Sequence, residues 1–301
     1  MKPPVLRKQL INGSLKALEW SMRTLPRWLI KFFMTALFSM ATLGTARIRG
    51  ICVRNLMLVY GDTKNQKEYE HLANQHLKSI GYSMMDLLYY VDRPQELSKI
   101  MHIEHEDHLK KALAAGRGVI GVTAHLGNFP LLFVALSQRG YKVNVIIRPM
   151  RDEVFSQFMY RQCNKWNINM IQTLPKKQFL RETLGALKRN ELLFILLDEV
   201  VAKEDGVQVP FFDRQVSRAT GPMLFFKRSG AAILPVFIIK DPNNHYQIFV
   251  KEPFKNHDDG SEQENTVKNI GGITNIIEGF VRRFPLQWGG WLNKRWASES
   301  N

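Results

Sequence analysis

The chain has 301 residues, 45% of them hydrophobic and 23% charged, a balance that excludes a largely disordered or collagen-like protein. A mean hydropathy of -0.21 excludes a polytopic membrane protein. The 42 Lys and Arg against 27 Asp and Glu leave a net charge of +15, which implies an anionic partner.

In chain order, the first element is a basic, apolar segment. Residues 1–54 hold ten Lys and Arg side chains against one acid, Glu19. Inside them, residues 32–46 form an uncharged run flanked by Arg27 and Trp28 on one side and by Arg47 and Arg49 on the other. The run falls short of the roughly 20 apolar residues that a spanning helix wants, so it reads as an interfacial, membrane-associating helix. Basic flanks favour the cytoplasmic face of the inner (plasma) membrane and its anionic lipid. The spacing suits neither a secretory signal nor a nucleic-acid-binding signature.

The segment 55–301 then reads as one α/β domain. Helical spacing at Leu72, His76, Ile80, Met85 and Leu88 predicts a helical hairpin over 55–90, with Pro94 beyond it. A helix over 109–118 ends at Gly116, and VIGVTAH (119–125) reads as a buried strand. Further strands are predicted at 142–147, 192–197, 233–239 and 246–250, separated by helices near 153–166, 177–189, 219–229 and 265–283. This alternation predicts a central sheet covered by helices on both faces. Residues 255–265 read as a polar surface loop.

His125 follows an apolar strand directly, with Gly127 and Asn128 after it. Polar residues at the carboxyl end of such a strand sit where α/β sheets bind ligands, and the pKa of His suits a general base near neutral pH. Three other patterns are set aside. Gly116, Gly118 and Gly121 spell a dinucleotide fingerprint but precede a strand instead of opening a helix. His102, His105 and His108 would spread around a single helix, and as loop ligands they would normally need a fourth group, so no metal is expected. Cys163 has no neighbour that would activate a thiol, and Cys52 lies far from it, so no disulfide framework is expected and a reducing compartment is.

Three spaced blocks carry a family resemblance: GVIGVTAHLGNFPLL (118–132), VNVIIRPMRDEVFSQFMYRQCNKWNINMI (143–171), and residues 191–237 around LLDE (196–199) and GVQVPFFDR (206–214). With Arg54–Asn55–Leu56 before them and FPLQWGGWLNKRW (284–296) after, the chain resembles the lysophospholipid acyltransferase superfamily, in the branch of the late (lauroyl or myristoyl) acyltransferases of lipid A biosynthesis. The resemblance implies a mixed central sheet of the glycerol-phosphate acyltransferase type. It also implies an O-acyltransferase that moves a fatty acyl chain from an acyl carrier protein or coenzyme A thioester to a hydroxyl of a lipid A precursor or related glycolipid, without metal or other cofactor.

In that chemistry His125 takes the acceptor proton, and an acid five residues later orients its ring. Here that residue is Pro130, which offers no hydrogen-bonding side chain. Either Asp198 or Glu199, at the end of a later strand, supplies the carboxylate, with Glu199 the preferred candidate, or the protein binds lipid with little or no turnover. Asn128, Arg148, Arg161, Phe211, Phe212 and Arg214 are the candidate substrate-binding residues. The two arginines are candidates because a guanidinium forks onto an anion.

Overall fold

The computed structural model describes residues 46–150 and 152–293, with scattered positions between 13 and 32. Most of the apolar run at 32–46, residues 294–296 of the closing motif and Arg151 lie outside the described residues. No helix among the described residues is long and apolar enough to cross a membrane.

A seven-stranded mixed sheet forms the centre. Its strands are β1 (Met101–Glu104), β2 (Val119–Thr123), β3 (Val143–Ile147), β4 (Ile168–Gln172), β5 (Leu192–Leu196), β8 (Ala232–Lys240) and β9 (Tyr246–Val250). They lie in the order β1-β9-β8-β2-β5-β3-β4. Every neighbouring pair is parallel except β8 with β9. The hairpin β6 (Gly206–Phe211) and β7 (Arg214–Ala219) pairs separately, in antiparallel register.

The sequence of β2 explains its central place. VIGVT is apolar up to its closing Thr123 and buried at every position, as a strand covered on both faces requires. Alternate side chains feed two cores. Ile120 and Val122 pack with Leu193 and Ile195 under the helices Ala46–Tyr60, Lys176–Lys188, Gly221–Ser229 and Glu262–Arg283. Val119 packs with Leu192 and Phe194 under the helices Gln66–Tyr90, Pro94–Ile100, Glu106–Ala114 and Phe129–Gln138.

Helix starts follow local chemistry. Asn65 with Glu68, and Ser261 with Glu264, form capping boxes that satisfy the free N–H groups of the first turn. The first helix, Ala46–Tyr60, runs across position 54 without a break and buries Cys52, Val53, Asn55 and Leu56. Its Asn55 donates to the carbonyls of Trp291 and Asn293 at 2.8 and 3.0 Å, tying it to the far end of the domain.

The structure departs from the sequence reading in three places. β1, β4, β6 and β7 are additional strands, and Pro94–Ile100 and Phe129–Gln138 are additional helices; Pro94 opens the first, and Pro130 lies in the first turn of the second, where the missing N–H costs nothing. The helix expected over 109–118 begins earlier, at Glu106, and ends at Ala114. Residues 102–108 do not form a single helix: His102 lies in β1, His105 is left-handed at φ 58°, and a helix starts after it. The three imidazoles are therefore not spread around one helix.

Candidate functional site

The register of the sheet builds the site. β2 and β5 pair in parallel with Thr123 opposite Leu196, and the Leu197 N–H donates to the Thr123 carbonyl at 3.0 Å. His125 and Asp198 each stand two residues past those paired ends, so the same step along two adjacent strands brings them together. His125 Nδ1 lies 2.9 Å from Asp198 Oδ1, and the His125 backbone N–H donates to Oδ2 at 3.0 Å.

Asp198 is almost wholly buried, and a bare carboxylate there would be costly. Its other contacts offset that cost. Trp288 Nε1 donates to Oδ2 at 2.8 Å. The Asp198 carbonyl accepts from Arg218 at 2.7 Å, and this buried guanidinium stacks 4.5 Å over the Phe211 ring. Burial alone would raise the Asp198 carboxyl, but the His125 charge and the donated hydrogen bonds hold it below the ordinary carboxylate value. For His125 burial pulls downward, and the Asp198 charge and hydrogen bond outweigh it, with help from Glu199. The imidazole therefore titrates above its ordinary value. One third of its side-chain surface reaches solvent. With Nδ1 engaged, Nε2 is the nitrogen left for proton transfer.

Period-two alternation decides between the two acids. Glu199, one step beyond Asp198, turns away from the ring and meets Arg148, which follows β3, the neighbouring strand; the pair is 3.4 Å apart and half-exposed. It is thus Asp198, and not the preferred Glu199, that reaches the imidazole. Pro130 lies in the first turn of Phe129–Gln138, while Phe129 packs edge-on against the His125 ring at 4.9 Å.

The remaining candidates are dispersed. Asn128 is buried and donates to the Ser83 carbonyl at 2.7 Å and towards the Tyr246 hydroxyl at 3.3 Å, so it anchors the loop instead of facing solvent. Tyr246 and Lys240 both donate to the buried Asp86, at 2.8 and 2.6 Å. Phe211 and Phe212 are buried behind Trp288, with ring centroids 5.7 and 6.1 Å from it. Phe212 and Asp213 both take positive φ in the two-residue turn that joins β6 to β7, and the partly exposed Arg214 follows. Arg161 is exposed on the helix Glu153–Lys165, and no contact joins it to the His125–Asp198 pair among the described residues. The Cys163 thiol is pushed up to about 11 by burial, which leaves no thiolate near neutral pH.

Trp288, Arg218 and Gln287 brace the pair although none of them has a site role in the sequence reading; Gln287 and Trp288 enter it only as part of the closing motif. Two of them lie in the closing FPLQWGGW segment, which zips onto the His125 loop. Gly127 N–H donates to the Gln287 carbonyl at 2.8 Å, Gly289 N–H to the His125 carbonyl at 2.7 Å, and Leu126 bridges Trp288. Gln287 also bonds the Lys240 backbone in both directions. A separate groove of about 510 Å³, lined by Arg49, Arg54, Met57 and Glu70 among others, contains neither His125 nor Asp198.

Comparisons with known proteins bear on the family of the chain. A family model described as bacterial lipid A biosynthesis acyltransferase matches residues 13–298. The lipid A biosynthesis palmitoleoyltransferase of Escherichia coli K12 is 24% identical over 291 residues, covering 93% of this chain and 88% of that protein. The phosphatidylinositol mannoside acyltransferase of Mycobacterium tuberculosis H37Rv is 30% identical over 131 residues, 43% of this chain and 41% of that protein.

Proposed function

The chain belongs to the bacterial lipid A biosynthesis acyltransferase family, and from that premise we propose that it performs O-acyl transfer with His125 as general base and Asp198 as the carboxylate that orients it. The observation that carries this reading is the 2.9 Å contact between His125 Nδ1 and Asp198 Oδ1. An imidazole held this way keeps its proton on Nδ1 and its lone pair on Nε2. Nε2 then takes the proton from an acceptor hydroxyl as the oxygen attacks the thioester carbonyl carbon. The buried carboxylate stabilises the imidazolium, the tetrahedral intermediate collapses, the C–S bond breaks, and the proton passes to the departing sulfur. No metal or other cofactor enters these steps.

The donor is an acyl thioester of an acyl carrier protein or of coenzyme A, both anionic and suited to a chain of net charge +15. The acceptor is a hydroxyl of a lipid A precursor or a related glycolipid, the class that the relatives' names share. Arg148 and Arg161 are the candidates for the anionic parts of these substrates, Arg214 lies at the hairpin turn, and Phe211 and Phe212 back the pair through Trp288. Membrane attachment on the cytoplasmic face of the inner membrane rests on the basic N-terminal segment and on the exposed Trp20, Trp28 and Phe32 within it.

Pro130 removes the acid expected five residues after the His, but Asp198 offers its own carboxylate to the same ring. The test is lipid mass spectrometry of a deletion strain beside strains restored with wild type or His125→Ala. Loss of one acyl mass on deletion, recovered only by the wild type, supports the reading. Full recovery by His125→Ala overturns the mechanism. If the lipid does not change and no thioester is turned over, the lipid-binding alternative replaces it.

A further inference from the structure

At the open edge of the sheet, residues 104–108 adopt a conformation that no continuous helix allows. β1 ends at Glu104, His105 takes φ 58° and ψ 41°, and the helix begins at Glu106. The reversal brings His105 and His108 together, with ring centroids 5.1 Å apart and planes 11° from parallel. One ring nitrogen of each, together with a carboxylate oxygen of Asp107, lie within 4.8 Å of one another.

We propose that His105, Asp107 and His108 form a binding site for a divalent transition ion of the zinc kind. Three features support it. Two imidazoles and one carboxylate are a borderline ligand set, suited to zinc in preference to magnesium or calcium. His108 Nδ1 faces the Val250 carbonyl at 3.2 Å. A carbonyl only accepts, so Nδ1 carries the proton and Nε2 presents its lone pair, the arrangement that an outer acceptor imposes on metal-binding histidines. Glu104 Oε1 lies 3.4 Å from His105 Nε2, which supplies a second carboxylate beside the cluster.

Tetrahedral ligation at the usual bond lengths needs donors about 3.3 Å apart. The His105 and Asp107 side chains are both more than half exposed, free to make that adjustment. Lys111 competes, since its Nζ sits 2.9 Å from Asp107 Oδ2. Bound metal would clip the left-handed residue to the first turn of the helix Glu106–Ala114, just after the four-residue strand β1, which among the described residues pairs with β9 alone. β1 lies three places from β2 in the sheet order, so the role is structural and does not depend on the acyl-transfer reading.

The test is calorimetric titration of the untagged full chain with zinc chloride, and with magnesium chloride as control, alongside melting curves. The expected result is one saturable zinc site and a melting temperature that rises with zinc concentration. Affinity should fall at least about tenfold in His108→Ala and in His105→Gly, the latter chosen because glycine keeps the left-handed turn at no steric cost. Lys111→Met should bind zinc more tightly than wild type. Acyl transfer should be the same with and without zinc. Absence of saturable zinc binding, equal affinity for magnesium, or unchanged affinity in the His105→Gly/His108→Ala double variant overturns the proposal.

Discussion

Trp288 donates its indole N–H to Asp198 Oδ2 at 2.8 Å, so the carboxylate that holds His125 is itself held by a residue 90 positions later in the chain. With His125 taking the other oxygen, both carboxylate oxygens are fixed, and the ring they orient is constrained in turn. Trp288→Phe keeps most of the packing volume and removes only that donor. Acyl transfer measured with a soluble thioester should drop about tenfold, with a stability loss of about 1–3 kcal/mol in denaturant unfolding. Unchanged turnover would show that the indole serves packing alone.

The two neighbouring acids should behave unequally. Asp198→Asn removes the charge that favours the imidazolium and reverses the tautomer preference of the ring, so its rate should fall about 10² to 10⁴-fold. Glu199→Gln removes the half-exposed partner of Arg148 and the least of the contributions that raise His125, and should stay within about threefold of wild type. Comparable losses in the two variants would return the choice to open ground.

The pH profile gives a second reading of the same pair. Turnover needs neutral His125, whose pKa is raised above its ordinary 6.5, so the acid limb of kcat/KM should lie above that pH. In Asp198→Asn the two larger raising contributions vanish, the lesser one from Glu199 and the burial remain, and the limb should move to lower pH. Stability follows the opposite logic. The His125 contribution is complete below its ordinary pKa and is lost as pH rises through the raised value. The Asp198 contribution holds above the ordinary carboxylate pKa and is lost as pH falls through the lowered one. The difference in melting temperature between wild type and Asp198→Asn should be largest between the lowered carboxylate value and the raised imidazole value, and smaller on either side.

Gly127 has no room for a side chain. Its φ is +59°, and an added Cβ would sit 1.9 Å from the Ile238 carbonyl oxygen. Gly127→Ala must therefore displace the loop that carries His125, and should reduce both melting temperature and turnover. A variant with wild-type melting and rate would place that loop outside the site.

The N-terminal segment is tested by where the chain is cut. Removal of residues 1–45 spares the helix Ala46–Tyr60 and should move the domain to the soluble fraction. Removal of 1–54 takes away the buried Cys52 and Val53, and should lower the melting temperature as well. Complete release of the intact protein by high salt alone would show that the apolar insertion is wrong.

What the sequence made legible follows from physics that acts locally. The largely apolar runs at 119–123, 192–196 and 246–250 mark buried strands because short apolar stretches between turn residues find few other places in a fold. His125 is visible because it ends one of them. The choice of Asp198 over Glu199 was not legible, since it depends on β2 lying beside β5 with Thr123 opposite Leu196, a relationship between strands that no local pattern encodes. Arg218 was hidden for the same reason. An arginine in a polar hairpin strand reads as exposed until the fold buries it beneath Phe211 and against the Asp198 backbone. Arg218→Met would leave that carbonyl without its donor, and the melting temperature should drop by about 3–10 °C. Residues 102–108 misled in the opposite sense, because helical spacing assumes a continuous helix and the left-handed His105 interrupts it.

The zipper between 285–292 and the His125 loop also bears on biosynthesis. While the ribosome is still translating, the sheet can assemble with His125 and Asp198 in register, yet Gly127, His125 and Asp198 all lack the partners that the closing Trp288 segment brings. A nascent chain is therefore without a braced His125–Asp198 pair until residues 285–292 have emerged from the exit tunnel, well after the strands that carry the pair have been made.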